Sequence, residues 1–302
     1  MLSILIPTYN YNVVPLVRQL HTQAEKAGIT FEVLIYDDGS PDKDVTYKNQ
    51  VIGNYSHCGY IVLPANIGRS AIRNLLAENA KYSWLLFLDA DTLPIRENFI
   101  AHYLPYLNNE EKVVYGGIKY QPDPPAANRL LRWVYGNKRE ALPKEIREAD
   151  PYLSLLTLNF AISKSVFAKV RFNEEIPNLR YEDTLFSYDL MKAGIKVEHI
   201  ANEACHLGLE TSEIFIRKSE ESITGLKYLL DHKFLPPGYV RLVKAYMQLK
   251  KAGLLPAAAL FHSATKKRFR NNLLSGKPSL FIFDLYRLGY LCSLNKNDVP
   301  SN

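Results

Sequence analysis

The sequence is poor in cysteine, which limits the kinds of site and compartment that it can represent. Three cysteines occur in 302 residues, and Cys58, Cys205 and Cys292 are widely separated and form no Cys-x-x-Cys pair. This spacing argues against a disulfide framework and against a structural zinc site. Such a chain is typical of a reducing compartment, so we expect a cytoplasmic protein.

Long hydrophobic runs are also missing. The apolar run at residues 2–6 ends at Pro7 and has neither a basic segment before it nor a cleavage site after it, so it predicts a first strand rather than a signal peptide. The apolar segment 278–294 is short and contains Asp284 and Arg287, which argues against a transmembrane helix. With 47% hydrophobic and 23% charged residues, the chain is expected to be soluble or peripheral to a membrane.

Acidic residues are scarce in the last third of the chain. Residues 1–205 carry 22 lysines and arginines against 24 acidic residues, whereas residues 206–302 carry 15 against 7. The basic cluster 266–270 stands beside the apolar segment 278–294. This predicts either docking of residues 264–294 on an anionic inner-leaflet surface or a helix packed on the rest of the protein. No basic patch interleaved with aromatics is present, so nucleic acid is not an expected partner.

Short apolar runs bounded by turn residues predict buried strands in the first hundred residues, with helical patterns between them. The predicted strands cover residues 2–6, 31–36, 60–63 and 84–88, and the predicted helices cover 13–27 and 70–80, the second with Ser70 as its N-cap behind Gly68. The alternation predicts an α/β fold with a mostly parallel sheet covered by helices. Beyond about residue 209 the pattern is helical, with candidate helices at 213–233 and 239–253.

Polar segments directly follow three of the predicted strands. They are Pro7-Thr8-Tyr9-Asn10, Asp37-Asp38-Gly39-Ser40 and Asp89-Ala90-Asp91-Thr92. In open α/β sheets, ligands bind beyond the carboxyl ends of the strands. The sequence therefore predicts a ligand site at this edge of the sheet.

Asp89 and Asp91 are the candidate metal ligands. They flank one residue, so their side chains point the same way if the segment stays extended. Two such carboxylates can hold Mg²⁺ or Mn²⁺, hard cations that bridge the oxygens of a diphosphate. His206 offers an imidazole nitrogen as a further ligand. A solvated turn and a structural histidine are the competing interpretations.

Two further segments carry groups suited to a nucleotide. Asp38 lies in a turn where its carboxylate can accept a hydrogen bond from a nucleobase N–H, although the same pattern is typical of an ordinary turn. Gly68 and Arg73 lie where a strand passes into a helix N-terminus, an arrangement that suits a phosphate. A surface arginine is an equally good interpretation of Arg73.

Glu182 and Asp183 stand at the start of a predicted helix over residues 184–193. A carboxylate at such a position usually caps the helix. A loop carboxylate that faces a bound substrate is also what a general base requires. The two roles do not exclude each other.

Together these segments, with His206-Leu207-Gly208, resemble the family-2 glycosyltransferases of the GT-A fold in order and placement, over about two thirds of the chain. The stretch 206–221 also looks like the continuation found in bacterial members that build surface polysaccharides. The resemblance implies metal-dependent, inverting transfer of a hexosyl or N-acetylhexosaminyl group. It further implies that Asp183 is the base and that Asp89, Asp91 and His206 bind Mn²⁺ or Mg²⁺.

The same resemblance implies a donor, an acceptor and a domain organisation. UDP-sugars are the commonest donors among relatives with this pattern, and a glycan or lipid-linked saccharide is the implied acceptor. The residues that match positions around the donor are Pro7, Thr8, Tyr9, Asn10, Asp38, Gly68, Arg73, Asp89, Ala90, Asn159 and Glu182. The implied domains are a catalytic domain at 1–208, divided near residue 118 into a nucleotide-binding and an acceptor-side part, and a helical basic region at 209–302. No Q-x-x-R-W motif follows Asp183, which argues against a processive synthase.

Two other functions compete with this interpretation. A nucleotidyltransferase on a related sheet would carry a glycine-rich G-x-G-x-R loop after the first strand, where this chain has Pro7-Thr8-Tyr9-Asn10. An inactive binding or scaffolding protein on the same fold would have no need of Asp183 or of the Asp89 and Asp91 pair. An enzyme is therefore the favoured interpretation.

Overall fold

The computed structural model describes residues 1–108 and 111–294, which fall into two units. The first unit comprises Met1–Gln121, Glu140–Glu174 and Glu182–Gly208. The second comprises Pro122–Arg139, Glu175–Tyr181 and residues 209–294. The assignment of segments to the nucleotide and to the acceptor stays a prediction.

The described residues form ten strands and twelve α-helices. The strands are β1 (Leu2–Thr8), β2 (Phe31–Asp37), β3 (Cys58–Val62), β4 (Trp84–Leu88), β5 (Thr92–Pro94), β6 (Lys112–Tyr115), β7 (Ile118–Lys119), β8 (Asn159–Ser163), β9 (Lys196–His199) and β10 (Ala204–His206). The helices are α1 (Val14–Lys26), α2 (Lys43–Asn49), α3 (Arg69–Asn79), α4 (Phe99–Tyr103), α5 (Leu130–Tyr135), α6 (Lys144–Glu148), α7 (Lys164–Lys169), α8 (Glu182–Lys192), α9 (Ser212–Asp231), α10 (Arg241–Lys251), α11 (Leu255–Leu273) and α12 (Leu280–Ser293).

The first unit is built on a seven-stranded sheet in the order β3-β2-β1-β4-β8-β6-β9. Its strand pairings are parallel except for those of β8, which runs antiparallel to both β4 and β6. A three-stranded sheet in the order β5-β10-β7 accompanies it. This topology confirms the predicted α/β class and the mostly parallel sheet, and the four predicted strands correspond to β1 to β4.

Strand β4 shows why the sheet is buried on both faces. All five of its residues are buried. Leu86 and Leu88 pack into one apolar cluster, whereas Leu85 and Phe87 pack into another. Because successive side chains of a strand point to opposite faces, an uninterrupted apolar run supplies both cores.

The start of α3 differs from the prediction. Ser70 lies inside the helix, and Gly68 occupies the N-cap position with a φ of 90° and no side-chain hydrogen bond. The N–H of Gly68 donates instead to the carboxylate of Asp38 at 3.1 Å. A positive φ is costly for residues other than glycine. The backbone turn at Gly68, rather than a serine hydroxyl, therefore sets where α3 begins.

The second unit is helical, and its described part contains α5 and α9 to α12 but no strand. This confirms the predicted helical C-terminal region. Its main apolar cluster consists of Leu131, Ile216, Leu273, Phe283 and Tyr286, which come from four different helices. Within residues 1–108 and 111–294, no helix combines the length and the apolar character needed to cross a bilayer.

Candidate active site

The first two polar segments meet at the carboxyl end of the sheet. Strands β1 and β2 are in parallel register, with Thr8 opposite Asp37. Beyond them, the N–H of Asp38 donates to the carbonyl of Thr8 at 2.9 Å, and the N–H of Asn10 donates to Oγ of Ser40 at 2.7 Å. Parallel pairing of the strands thus ties the two segments to each other.

The Asp38 carboxylate organises the loop before α3. Its two oxygens accept hydrogen bonds from the backbone N–H groups of Ile67 at 2.7 Å and Gly68 at 3.1 Å. Burial raises the pKa of Asp38, and these two donors oppose the rise. Gly39 has no space for a side chain, since a Cβ atom would lie 2.7 Å from the carbonyl carbon of Ala65. The backbone holds Asp38 in place, and its contact with a nucleobase stays a prediction.

Arg73 on α3 lies between two carboxylates. Its Nη2 donates to Oδ1 of Asp89 at 2.9 Å, and its Nη1 lies 3.7 Å from Oε1 of Glu182. Burial of the guanidinium opposes its charge, but the carboxylates of Asp89 and Glu182 outweigh burial and raise the pKa of Arg73. Burial also raises the pKa of Asp89, although 35% of its side chain is accessible, and Arg73 opposes that rise. Arg73 is therefore an internal counter-ion rather than a surface arginine.

Asp91 and His206 are brought together by the small sheet. Strand β10 runs antiparallel to β5 and places His206 opposite Thr92, the residue after Asp91. Nε2 of His206 lies 3.4 Å from Oδ2 of Asp91, and the N–H of Leu207 donates to the Asp91 carbonyl at 2.8 Å. Two residues that are distant in the chain thus form a carboxylate–imidazole pair.

Gly208 and two tyrosines border this pair. A Cβ atom at Gly208 would overlap with Oδ2 of Asp91, so only glycine leaves room for the carboxylate. Burial, and then the charge of Asp91, raise the pKa of Tyr11, and the ring of Tyr120 lies 5.4 Å from that of His206. These three residues are absent from the predicted site, because their roles depend on tertiary contacts that spacing along the chain does not reveal.

The predicted metal ligands do not form a complete cage. In the part of the chain that the structure describes, no group of three His, Cys, Asp or Glu side chains has a metal-binding arrangement. Asp89 is paired with Arg73, whereas Asp91 and His206 face each other. Mg²⁺ is usually held by one or two carboxylates together with substrate phosphates, and not by an all-protein cage. Asp91 and His206 could supply two ligands to a divalent cation that is bound in this way. Gly208 leaves the space that the Asp91 carboxylate occupies.

Asp183 stands in the first turn of α8. The N–H of Thr184 donates to its Oδ1 at 2.6 Å, which fixes the carboxylate. Burial, and then the adjacent charge of Glu182, raise the pKa of Asp183 to about 6, while Thr184 and Arg73 oppose the rise. A carboxylate with such a pKa is charged at neutral pH, yet it is a stronger base than an exposed aspartate.

Asn159 occupies a different setting from the other predicted residues. Its Oδ1 accepts a hydrogen bond from the hydroxyl of Tyr103 at 2.7 Å, and its Nδ2 donates to the carbonyls of Gly117 and Asn202 at 2.8 and 3.0 Å. The residue is fully buried, and both amide protons are engaged. These hydrogen bonds connect the chain segments of Tyr103, Gly117 and Asn202 through Asn159, and its contact with the donor stays a prediction.

The remaining predicted residues lie at strand ends. Pro7 belongs to β1, and Tyr9, just beyond that strand, is 49% exposed. Ala90 lies in the turn between Asp89 and Asp91, which Thr92 closes by donating from its hydroxyl to the Asp89 carbonyl at 2.7 Å. This turn directs the two carboxylates to different partners, because the segment does not continue as a strand beyond Leu88.

Comparisons with known proteins agree with this architecture. An uncharacterized glycosyltransferase from Haemophilus influenzae is 24% identical over 217 residues, which cover 69% of this chain and 80% of that protein. A mannosyltransferase from Pyrobaculum calidifontis, solved in complex with GDP-Man and Mn²⁺, has a TM-score of 0.59 at 13% identity and shares the fold over 97% of this chain and 85% of its own. The sequence model of glycosyl transferase family 2 matches residues 3–170, more than half of the chain. The protein is therefore a member of glycosyl transferase family 2 and has the GT-A fold.

Proposed function

We propose that this glycosyltransferase moves a single sugar from a nucleoside diphosphate sugar, specifically a UDP-sugar, to an acceptor hydroxyl with inversion at the anomeric carbon. The acceptor is a glycan or a lipid-linked saccharide of a surface polysaccharide pathway. The observation that carries the proposal is the half-buried Asp183 carboxylate in the first turn of α8, which the N–H of Thr184 holds at 2.6 Å. Burial raises its pKa to about 6, and its charge interacts with Arg73.

In the proposed reaction Asp183 accepts the proton of the acceptor hydroxyl. The acceptor oxygen forms a bond to the anomeric carbon while the bond from that carbon to the diphosphate breaks, and the electron pair leaves with the diphosphate. Attack from the face opposite the leaving group inverts the configuration. A positioned base contributes about 10² to 10⁴ to the rate of such a step.

The departing diphosphate needs compensation for its negative charge. Asp91 and His206 are the residues that would hold Mn²⁺ or Mg²⁺, and a cation there would stabilise the charge on the leaving group. The mannosyltransferase that shares this fold is itself in complex with Mn²⁺ and GDP-Man, which supports the proposal. Asp89 acts on the donor through Arg73, whose guanidinium it holds at 2.9 Å.

The nucleotide is proposed to lie along the carboxyl ends of β1, β2 and β4. The hydrogen bonds from Asp38 N–H to the Thr8 carbonyl and from Asn10 N–H to Oγ of Ser40 connect the loops at this edge. The residues proposed to line it are Pro7, Thr8, Tyr9, Asn10, Asp38, Gly68, Arg73, Asp89, Ala90 and Glu182.

Donor binding and transfer are tested separately. Binding of UDP- and GDP-sugars in the presence of Mn²⁺ is measured by calorimetry, and nucleotide release is measured with a panel of saccharide acceptors. We expect Asp183→Asn to lower the rate by about 10² to 10⁴ and to leave the donor dissociation constant within about threefold, because the substitution removes a base and keeps the shape.

Asp189→Asn is the matched control, since Asp189 lies on the same helix and pairs with Lys192 at 2.7 Å near the surface. Its rate should equal that of the wild type. A wild-type rate in Asp183→Asn would show that another group is the base, and the absence of donor binding by any nucleotide sugar would overturn the proposal as a whole.

A further inference from the structure

The helices at the end of the second unit carry far more positive than negative charge. Residues 232–294 include eleven lysines and arginines, and Asp284 is their single acidic residue. Asp284 is already paired with Arg139 at 2.7 Å. In the described residues, the exposed cations of this segment with no acidic side chain within 4 Å are Lys233, Arg241, Lys244, Lys250, Lys251, Lys267, Arg268 and Lys277.

One face of α11 combines these cations with exposed apolar side chains. Leu260, Lys267 and Leu274 are spaced at seven residues and are all exposed, so they lie in a row along the outer side of the helix. Leu260 is 73% exposed. Phe261 and Arg268 flank the row and are exposed as well. We call these five residues the α11 face.

Most apolar side chains of the neighbouring helix α12 are buried or half-buried, so the apolar segment 278–294 is not an exposed apolar surface. Phe283, Tyr286 and Leu291 are buried within the second unit. Phe281, at the start of α12, is 71% exposed and follows the exposed Lys277. The apolar side chains of α12 thus serve mainly packing, and the three most exposed apolar side chains of the second unit, Leu260, Phe261 and Phe281, lie on α11 and at the start of α12.

We propose that the α11 face docks on the interfacial region of a bilayer that contains anionic lipids. An anionic surface attracts exposed cations that have no acidic partner, and each cation near it contributes about 1 kcal/mol to the free energy of binding. Exposed leucine and phenylalanine side chains gain from contact with acyl chains. A nucleic acid or an acidic protein would pair with the cations but would leave the apolar side chains exposed. A lipid interface can bind both the cations and the apolar side chains along this 19-residue helix. The absence of a helix able to span a membrane in the described residues agrees with docking at the surface.

Flotation of the full chain with vesicles tests the proposal. We expect binding to vesicles of phosphatidylcholine with phosphatidylglycerol, at least tenfold weaker binding to phosphatidylcholine alone, and weakening in 0.5 M salt. Lys267→Glu with Arg268→Glu should reduce binding by about tenfold or more, and Leu260→Ser with Phe261→Ser should reduce it by a similar factor.

Matched controls separate these effects from net charge and from misfolding. Lys81→Glu with Lys196→Glu makes the same charge change at exposed positions of the first unit, and Ile146→Ser removes another exposed apolar side chain. Both controls should bind as the wild type does, and all variants should keep the wild-type melting temperature within a few degrees. No binding to anionic vesicles, or equal losses in controls and α11 variants, would overturn the proposal, as would stronger capture by single-stranded DNA than by vesicles.

This inference stands apart from the proposed reaction. Asp183→Asn should float with anionic vesicles as well as the wild type does. A failure of vesicle binding would therefore leave the assignment of the base intact, and a failure of that assignment would leave the membrane surface intact.

Discussion

The two units of this protein balance their charges in different ways. In the first unit Arg73 is paired with Asp89 and Glu182, and the carboxylate of Asp91 lies 3.4 Å from the imidazole of His206. These groups come from strand ends and from the first turns of helices, where side chains of both signs converge. Burial raises the pKa of Asp89 and of Asp183, and the charge of Arg73 opposes both rises.

In the second unit several cations on α10 and α11 have no acidic partner among the described residues. They are exposed, and those on α11 share that helix with the exposed Leu260 and Phe261. Surface cations without acidic partners are free to interact with anionic groups of another molecule or surface. The difference separates the two proposals: the paired groups of the first unit are proposed to take part in catalysis, and the unpaired cations of the second unit are proposed to dock on a membrane surface.

Arg73→Met removes the guanidinium that pairs with Asp89 and Glu182 in the first unit, and it is expected to have the largest effect. We expect the free energy of unfolding to fall by about 2–4 kcal/mol, because Asp89 and Glu182 lose a buried counter-ion. Urea unfolding measures the change. The control Arg171→Met removes an exposed ion pair with Glu78 and should lower the free energy of unfolding by less than about 1 kcal/mol. An equal loss of unfolding free energy in the two variants would show that the ion pairs of Arg73 stabilise the protein no more than an exposed pair does.

Asp183→Asn should make the protein more stable at pH 8 by about 3 kcal/mol and leave its stability unchanged at pH 4. The pKa of Asp183 is about 6 in the folded protein against an ordinary value of 3.8, so the folded state binds the proton more tightly. The stability that this group contributes is present below pH 4 and is lost as the pH rises through 6. Urea unfolding between pH 4 and pH 8 measures it, and a variant no more stable than the wild type at pH 8 would contradict the prediction.

Gly208→Ala tests whether the position of Asp91 matters for transfer. The added Cβ would displace the carboxylate from His206, so we expect a tenfold to hundredfold loss of rate with a weaker dependence on Mn²⁺. Nucleotide release against Mn²⁺ concentration is the measurement. Gly53→Ala is the control, because no atom lies within 4 Å of its added Cβ. An unchanged Mn²⁺ dependence in Gly208→Ala would argue against Asp91 as a ligand.

The smallest effect is expected in the second unit. A Cβ at Gly289 would lie 2.7 Å from Cβ of His262, so Gly289→Ala should lower the free energy of unfolding by about 1–2 kcal/mol. Gly276→Ala has open space and should be neutral. Circular dichroism melts measure both. Calorimetric donor binding should be unchanged in both variants, and a loss in Gly289→Ala alone would contradict the contrast between the two regions.

Much of the first unit could be predicted because its signals are local. Strand β4 coincides with the predicted run, β1 and β2 begin where predicted and extend one or two residues further, and β3 differs by one or two residues at each end. Apolar runs specify buried strands wherever both faces are covered. The antiparallel strand β8 and the short strands β5 and β10 escaped prediction, since their pairing depends on partners distant in the chain.

The sequence by itself determined the α/β class, the helical end of the chain, the excess of basic residues there and the order of the polar segments after the strands. Periodicity and charge are properties of neighbouring residues, so they can be read without coordinates. Only the tertiary structure decided that Asp89 faces Arg73 while Asp91 faces His206, that Asn159 is a structural amide, and that α11 carries exposed apolar side chains. Those outcomes depend on which distant segments come into contact, and burial and charge compensation are set by those contacts.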